Sequence, residues 1–174
     1  MSHHRGLLHH MIINVSNVER SSVFYKAMFE YFGYVLADSS YEKEYSYEDW
    51  KRWDIETPHE ICICQADQAL QEKEYCRGAV GHHDHIAFCA VDREDIDRFH
   101  RDVLLPLEHE GHCRIEDPPN DHPEYGEGYY ATYFFDPDGL KYEFVLNPNH
   151  LLKMKQRKAE QERAGHQVNP NPGA

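Results

Sequence analysis

The first part of the chain has the pattern of a strand followed by a helix. Residues 10–15 are rich in Ile and Val and predict a largely buried strand. Apolar residues then recur at helical spacing as far as Phe32. Asn17 offers a side-chain cap at the start of this helix, and Gly33 stands where a left-handed cap would end it.

Three further strands are predicted before a linker. Residues 34–37 predict the next strand, and residues 60–66 predict a short buried one. The acidic and aromatic residues 38–57 between them predict an exposed hairpin with a strand near residues 50–55. Residues 67–81 are polar and end in glycine, which makes them the candidate linker between two halves.

The second part of the chain begins in the same order. Residues 85–91 predict a strand, and Asp92 predicts the N-terminal cap of a helix. Pro106 is expected to end or kink that helix, and Gly111 closes the segment. The apolar face of the helix comprises Ile96, Phe99 and Val103.

The rest of the second part predicts strands again. Residues 117–128 have the composition of a turn-rich loop, and residues 129–135 alternate aromatic side chains as a strand does. The turn 136–139 leads to a last strand over residues 140–146. Residues 148–174 are expected to be a tail, partly helical and then disordered.

The first part thus has the order βαβββ. The second part repeats the opening strand, the helix and the two closing strands, and we interpret it as a second βαβββ unit. We predict an α+β fold in which modules 7–67 and 82–147 build one domain, 7–147, around a curved mixed sheet. A chain of 174 residues has the length of one compact domain.

Each module opens on a histidine and closes on a glutamate, His10 and Glu60 in the first and His85 and Glu143 in the second. This repeat suggests a metal-centred site between the halves. Glu143 stands in the apolar run YEFVL, where a carboxylate needs a partner because burying it alone is costly. His9 and His10 are adjacent, and in a strand they would face opposite sides.

Charge and cysteine content restrict the function further. A net charge of −13 argues against nucleic acid or an anionic membrane as a partner. No apolar run has the length of a membrane span, and the start does not resemble a signal peptide. The five cysteines are odd in number and include no CxxC pair, so we interpret them as small buried hydrophobic residues of a reduced, cytoplasmic protein rather than as disulfides or a zinc site.

Three segments of the sequence resemble a known family. LHHMIINVSNVERSSVFYKAMF, HIAFCAVDREDIDRFH and YYATYFFDPDGLKYEFV are similar to the glyoxalase/bleomycin resistance protein/extradiol dioxygenase group, the vicinal oxygen chelate superfamily. The resemblance covers roughly residues 8–147, and DPDGLKYEF is its most specific piece. It implies that the two modules form a glyoxalase-like cup, and we expect a homodimer.

The resemblance also implies a divalent metal, Zn²⁺, Ni²⁺, Fe²⁺ or Mn²⁺, bound by His10, His85 and Glu143, with Glu60 as a fourth ligand. Three ligands would form the facial triad of an Fe(II)-dependent dioxygenase, whereas four would suit a Lewis-acid lyase or isomerase. A displaced Glu60 or Glu143 carboxylate would then act catalytically by moving a proton. A metal-free small-molecule-binding or resistance protein is the third hypothesis.

An aromatic pocket is expected beside the metal. We assign His122, Tyr125, Tyr129 and Tyr130 to it, with a small oxygenated molecule as substrate, and assign Tyr133 to strand packing. In related short members, HPGYY-like residues precede the seventh strand, whereas HPEYGEGYY carries an insertion at this position.

Overall fold

The computed structural model describes residues 8–37, 44–49, 59–73 and 75–149, together with residues 152, 156, 157, 159, 160 and 163 of the tail. It confirms the α+β class, and the predicted mixed sheet takes the form of two four-stranded sheets, one for each module. The first module comprises β1 (His10–Val15), α1 (Val18–Phe32), β2 (Val35–Ala37), β3 (Glu44–Asp49) and β4 (His59–Gln65). The second comprises β5 (Ile86–Cys89), α2 (Arg93–Phe99), a π-helical turn (His100–Leu104), α3 (Leu105–His109), β6 (Arg114–Asp121), β7 (Tyr130–Phe135) and β8 (Lys141–Leu146).

Both sheets have the same topology. The strand orders are β1-β4-β3-β2 and β5-β8-β7-β6. In each sheet the first and last strands of the module pair in parallel, and the other neighbouring strands are antiparallel. The parallel pairing is possible because the helix carries the chain from one edge strand of the sheet to the other. The first and last strands of each module are therefore neighbours, so the histidine that opens a module lies near the glutamate that closes it.

The predicted helix caps are confirmed. The Asn17 side chain accepts the backbone N–H of Arg20 at 2.8 Å, and the Asp92 side chain accepts that of Asp95 at 2.8 Å. Gly33 has a φ of 89°, and its N–H donates to the carbonyl of Glu30. Short-range hydrogen bonds thus determine where these helices begin and end.

One strand prediction lies outside the described residues and another differs from the structure. Residues 50–55, near which a strand is expected, are not among the described residues; β3 lies just before them. Residues 117–121 are not part of a loop, because they belong to β6 and pair with β7. Two prolines, Pro118 and Pro119, obscured this strand in the sequence; they are tolerated because β6 is an edge strand with register shifts.

Pro106 does not end the helical segment, which runs on through α3 to His109. A π-helical turn over His100–Leu104 comes directly before α3 and leaves Pro106 in the first turn of that helix. A first turn needs no hydrogen bond from the missing proline N–H, so the residue is accommodated by a local change in helix geometry.

The helices form a layer between the two sheets. Phe29 of α1 packs against Tyr47 of the first sheet at 4.9 Å between ring centroids and against Phe88 of the second at 6.1 Å. Phe99 of α2 packs against Phe144 at 5.2 Å. Since neighbouring strand residues face opposite sides, the other face of each sheet is directed away from this shared core.

A polar network also joins the modules. Tyr25 of α1 donates a hydrogen bond at 2.6 Å to Asp136, which lies in the turn before β8. Asp136 is only 4% exposed, and its burial raises the pKa of the carboxyl to about 6. Asp138, two residues on, accepts hydrogen bonds from Ser16 and pairs with Arg20. Within the described part of the chain, no helix is long and apolar enough to cross a membrane.

Candidate metal and substrate site

The first ligand pair, His10 and Glu60, is held by adjacent strands. The two residues are register partners of β1 and β4, and ligand atoms of His9, His10 and Glu60 all lie within 4.8 Å of one another. The prediction that His9 and His10 face opposite sides is wrong: His9 lies before β1 begins, and its Nδ1 is 3.0 Å from that of His10. Strand alternation therefore does not apply to it.

Polar neighbours hold Glu60 in its charged form. The Ser46 hydroxyl donates to Glu60 Oε1 at 2.6 Å, and the Cys62 thiol lies 3.5 Å from the same oxygen. The Ser46 hydrogen bond is the main reason why the pKa of Glu60 is lowered, and the nearby His10 lowers it further. The carboxylate is ionised and available to a cation or a proton.

The second ligand pair, His85 and Glu143, belongs to the other sheet. His85 Nε2 lies 3.2 Å from Glu143 Oε2. Glu143 is 3% exposed, and its Oε1 accepts hydrogen bonds from the hydroxyls of Tyr129 at 2.5 Å and Tyr133 at 2.9 Å. Desolvation, together with these bonds to a carboxylate, raises the pKa of both tyrosines, so they remain donors.

Asp84 orients the imidazole of His85. Its Oδ2 lies 2.9 Å from Nδ1, and this contact is the main reason why the pKa of Asp84 is lowered. When Nδ1 donates to the ionised Asp84, a neutral His85 presents the Nε2 lone pair to Glu143. Two acceptor atoms that face each other in this way suit a shared cation, and a carboxylate behind the imidazole is the usual support for a metal-binding histidine.

A cavity of about 660 Å³ lies beside the second pair. His122, Tyr125, Tyr129 and Tyr133 line it. The His122 ring lies edge-on to that of Tyr133 at 5.3 Å, and the Tyr125 and Tyr129 rings are 5.2 Å apart. Apart from His85, the remaining lining residues are acidic or basic: Arg77, Asp84, Glu116, Asp117, Glu124, Lys141 and Glu143.

We predicted Tyr130 in the pocket and Tyr133 in strand packing, whereas Tyr133 lines the cavity and Tyr130 lies outside it. Tyr130 does not line the cavity; its hydroxyl donates to Asp97 of α2 at 2.7 Å, and Arg93 lies over its ring. Tyr133, which we assigned to strand packing alone, is 9% exposed and also bonds Glu143. The signal that sequence analysis missed is register, because Tyr133 lies directly opposite Glu143 across β7 and β8.

The two ligand pairs do not meet within one chain. Among the described residues, the only group of three or more ligand atoms within 4.8 Å is that of His9, His10 and Glu60. His85 and Glu143 line their cavity without His10 or Glu60. The cause is the layer order: each pair lies on the face of its sheet that is directed away from the helices.

Comparison with known proteins agrees with this architecture. The family model of the glyoxalase/bleomycin resistance protein/dioxygenase superfamily matches residues 7–144. The chain is 30% identical over 139 residues to the uncharacterized protein YqjT of Bacillus subtilis (strain 168), a match that covers 79% of this chain and 97% of YqjT.

Solved structures give the same result. A putative glyoxalase from Bacillus halodurans is 28% identical, with a TM-score of 0.63, over 81% of this chain and 96% of that one. A glyoxalase/bleomycin resistance protein from Albidiferax ferrireducens T118 is 20% identical, with a TM-score of 0.56, over 80% and 97% of the two chains, and supports the fold alone. The chain thus belongs to the glyoxalase/bleomycin resistance protein/dioxygenase superfamily.

Proposed function

We propose that the protein is a metal-dependent, glyoxalase-like lyase or isomerase that acts on a small oxygenated substrate as a homodimer. In each site His10 and Glu60 of one protomer and the partner's His85 and Glu143 hold one divalent cation. The observation that carries the proposal is the division of these four residues into two His–Glu pairs on sheet faces turned away from the shared core.

Twofold symmetry would form both four-residue metal sites of the dimer at once. If the first sheet of one protomer faces the second sheet of its partner, the symmetry operation generates the same contact a second time and closes the assembly. The outer face of the first sheet has an apolar residue to bury there: Ile12, two residues after His10 on the same strand, is 54% exposed.

The donor atoms suit a cation of the kind proposed. Two imidazoles and two carboxylates match Zn²⁺, Ni²⁺, Fe²⁺ or Mn²⁺. Such an ion, when bound, would polarise vicinal oxygens of the substrate and stabilise the negative charge that develops when a proton is removed.

The two carboxylates are suited to different tasks. Glu143 is nearly inaccessible and two tyrosine hydroxyls anchor its Oε1, so it serves to hold position. Glu60 is only partly buried and accepts one short bond, from Ser46. We therefore assign proton transfer to Glu60, because it is the more accessible and the less firmly anchored of the two carboxylates.

Complementation between two inactive variants tests the proposal. His10→Ala and His85→Ala are purified without a tag, dialysed against zinc and analysed for bound metal, alone and after joint refolding of an equal mixture. Each variant alone should lose most of its metal. About half of the dimers in the mixture are mixed and each contains one intact site, so about a quarter of the wild-type metal should return.

The possible failures separate the two parts of the proposal. A mixture as metal-poor as its components would mean that the pairs do not meet across an interface. Full metal content in both single variants would rule out the metal site itself. The far-UV circular dichroism of each variant serves as the folding control.

A further inference from the structure

The charge of the cavity beside Glu143 restricts the substrate further, on the basis of the proposed function. Both of its cations are already paired: Lys141 with Glu116, and Arg77 with Asp84 at 3.7 Å between Nε and Oδ1. Lys141 Nζ also lies 4.5 Å from the centre of the Tyr133 ring. Each cation therefore already has a carboxylate partner, with which an anionic group of a ligand would have to compete.

Two acidic residues of the same cavity have no lysine or arginine partner within the described part of the chain. Asp117 and Glu124 both line it, and each carboxylate has an imidazole nitrogen of His122 as its neighbour. We call His122, Asp117, Glu124, Tyr125 and Tyr129 the acidic corner. With Glu143 engaged in the metal site, the acidic corner retains an excess of negative charge.

The buried nitrogen of His122 points to a missing donor. His122 is 8% exposed, its Nδ1 lies 3.2 Å from Glu124 Oε1, and among the described residues Nε2 has no hydrogen-bond partner. The carboxylate oxygen Asp117 Oδ2 lies 3.5 Å from Nε2, which is too far for a good hydrogen bond. In the tautomer whose Nδ1–H donates to Glu124, Nε2 remains an acceptor beside the Asp117 carboxylate, and an N–H donor would satisfy both.

Aromatic rings complete the surroundings of that gap. Tyr125 and Tyr129 lie 5.2 Å apart, and Tyr125 is 62% exposed where it lines the cavity. The faces of tyrosine rings attract cations, and carboxylates beside them strengthen the attraction. The first sheet, which would face this cavity in the proposed dimer, contributes no lysine or arginine from any of its four strands.

We infer that the acidic corner binds an ammonium group, and that the substrate is an oxygenated amine in its cationic form rather than an anion such as a carboxylate-bearing thiol adduct. The ammonium N–H groups would donate to the Asp117 and Glu124 carboxylates that flank His122, while the tyrosine rings cover its carbon substituents. A cavity of about 660 Å³ has room for a molecule of this kind.

Three probes of one shape test the inference. Benzylammonium, benzyl alcohol and benzoate are titrated into the ¹⁵N-labelled full-length protein, and binding is measured from amide and histidine chemical shifts. Benzylammonium should bind at least about fivefold more tightly than benzyl alcohol, and more weakly as salt is added. In chelator-treated protein, where no metal ion is available to the carboxylate, benzoate should bind least.

Matched variants test whether the preference for benzylammonium comes from the acidic corner. Asp117→Asn should weaken benzylammonium binding by roughly two- to fivefold and leave benzyl alcohol unaffected. Asp121→Asn is the control, because it removes the same charge from the same strand where the carboxylate is paired with Arg93. Equal affinity for the charged and neutral probes, preference for benzoate, or equal loss in both variants would overturn the inference.

The titrations are repeated after treatment with a chelator. Ammonium binding that survives metal removal while the complementation experiment fails would uphold the acidic corner and refute the metal site. The reverse combination would uphold the metal site and refute the ammonium-binding corner.

Discussion

Replacing Asp136, which lies at the contact between the modules, by Asn should remove a pH dependence of the free energy of unfolding. Asp136 is 4% exposed, and burial raises the pKa of its carboxyl from an ordinary 3.8 to about 6, against the opposing effect of the Tyr25 hydrogen bond. The folded protein therefore holds this proton more tightly than the unfolded chain does. Stability from this group is present below about pH 4 and is lost as the pH rises to about 6.

The size of the effect follows from the two pKa values. A rise from 3.8 to about 6 corresponds to roughly 3 kcal/mol of unfolding free energy, lost over that pH range. Asn keeps an oxygen for the backbone N–H groups of Asp138 and Leu140, which Asp136 accepts at 2.9 and 2.8 Å. Its amide would face Tyr25, whose hydroxyl lies 3.0 Å from that of Tyr142 and can donate there instead.

Urea unfolding at pH 4, 5, 6 and 7, followed by circular dichroism, measures the difference between the two proteins. Relative to the wild type, the unfolding free energy of Asp136→Asn should rise by about 2.5 kcal/mol from pH 4 to pH 7. The contributions of the other titrating groups cancel in this difference. Asp121→Asn, at an exposed ion pair, should show no such trend. A difference between wild type and Asp136→Asn that stays constant with pH would refute the argument that burial of a charged carboxylate destabilises the fold at neutral pH.

Substitutions at four further positions test other parts of the structure. Glu60→Gln should lower zinc affinity and abolish turnover in the four-ligand site, as isothermal titration and activity assays would show; unchanged metal affinity would favour the three-ligand arrangement of a dioxygenase. Asn17→Ala should cost about 1 kcal/mol in urea unfolding because the first turn of α1 loses its cap, and Asn17→Ser should restore most of it. Gly33→Ala should cost roughly 1–2 kcal/mol for its φ of 89° alone, since a Cβ there meets no atom of a described residue within 4 Å. Gly128→Ala should cost more, because a Cβ there would lie 3.3 Å from Pro148; equal losses at the two glycines would contradict this packing argument.

Local signals made much of the fold predictable. Asn17 and Asp92 cap helices through hydrogen bonds to residues three positions away, so their role is visible in a short window of sequence. Alternation and apolar runs located most of the strands for the same reason. β6 was missed because two prolines are atypical of a strand, and only its edge position, a property of the whole sheet, makes them acceptable.

The candidate site was predictable as a set of residues but not as an arrangement. The sequence by itself determined which histidines and glutamates open and close the two modules, because the repeat and the strand periodicity depend on neighbouring residues. Only the tertiary structure decided that these residues separate into two pairs. The apolar face of α1 does not specify in the sequence which sheets will cover it, and the aromatic contacts of Phe29 with both sheets place the helices between them and the ligands on opposite outer faces.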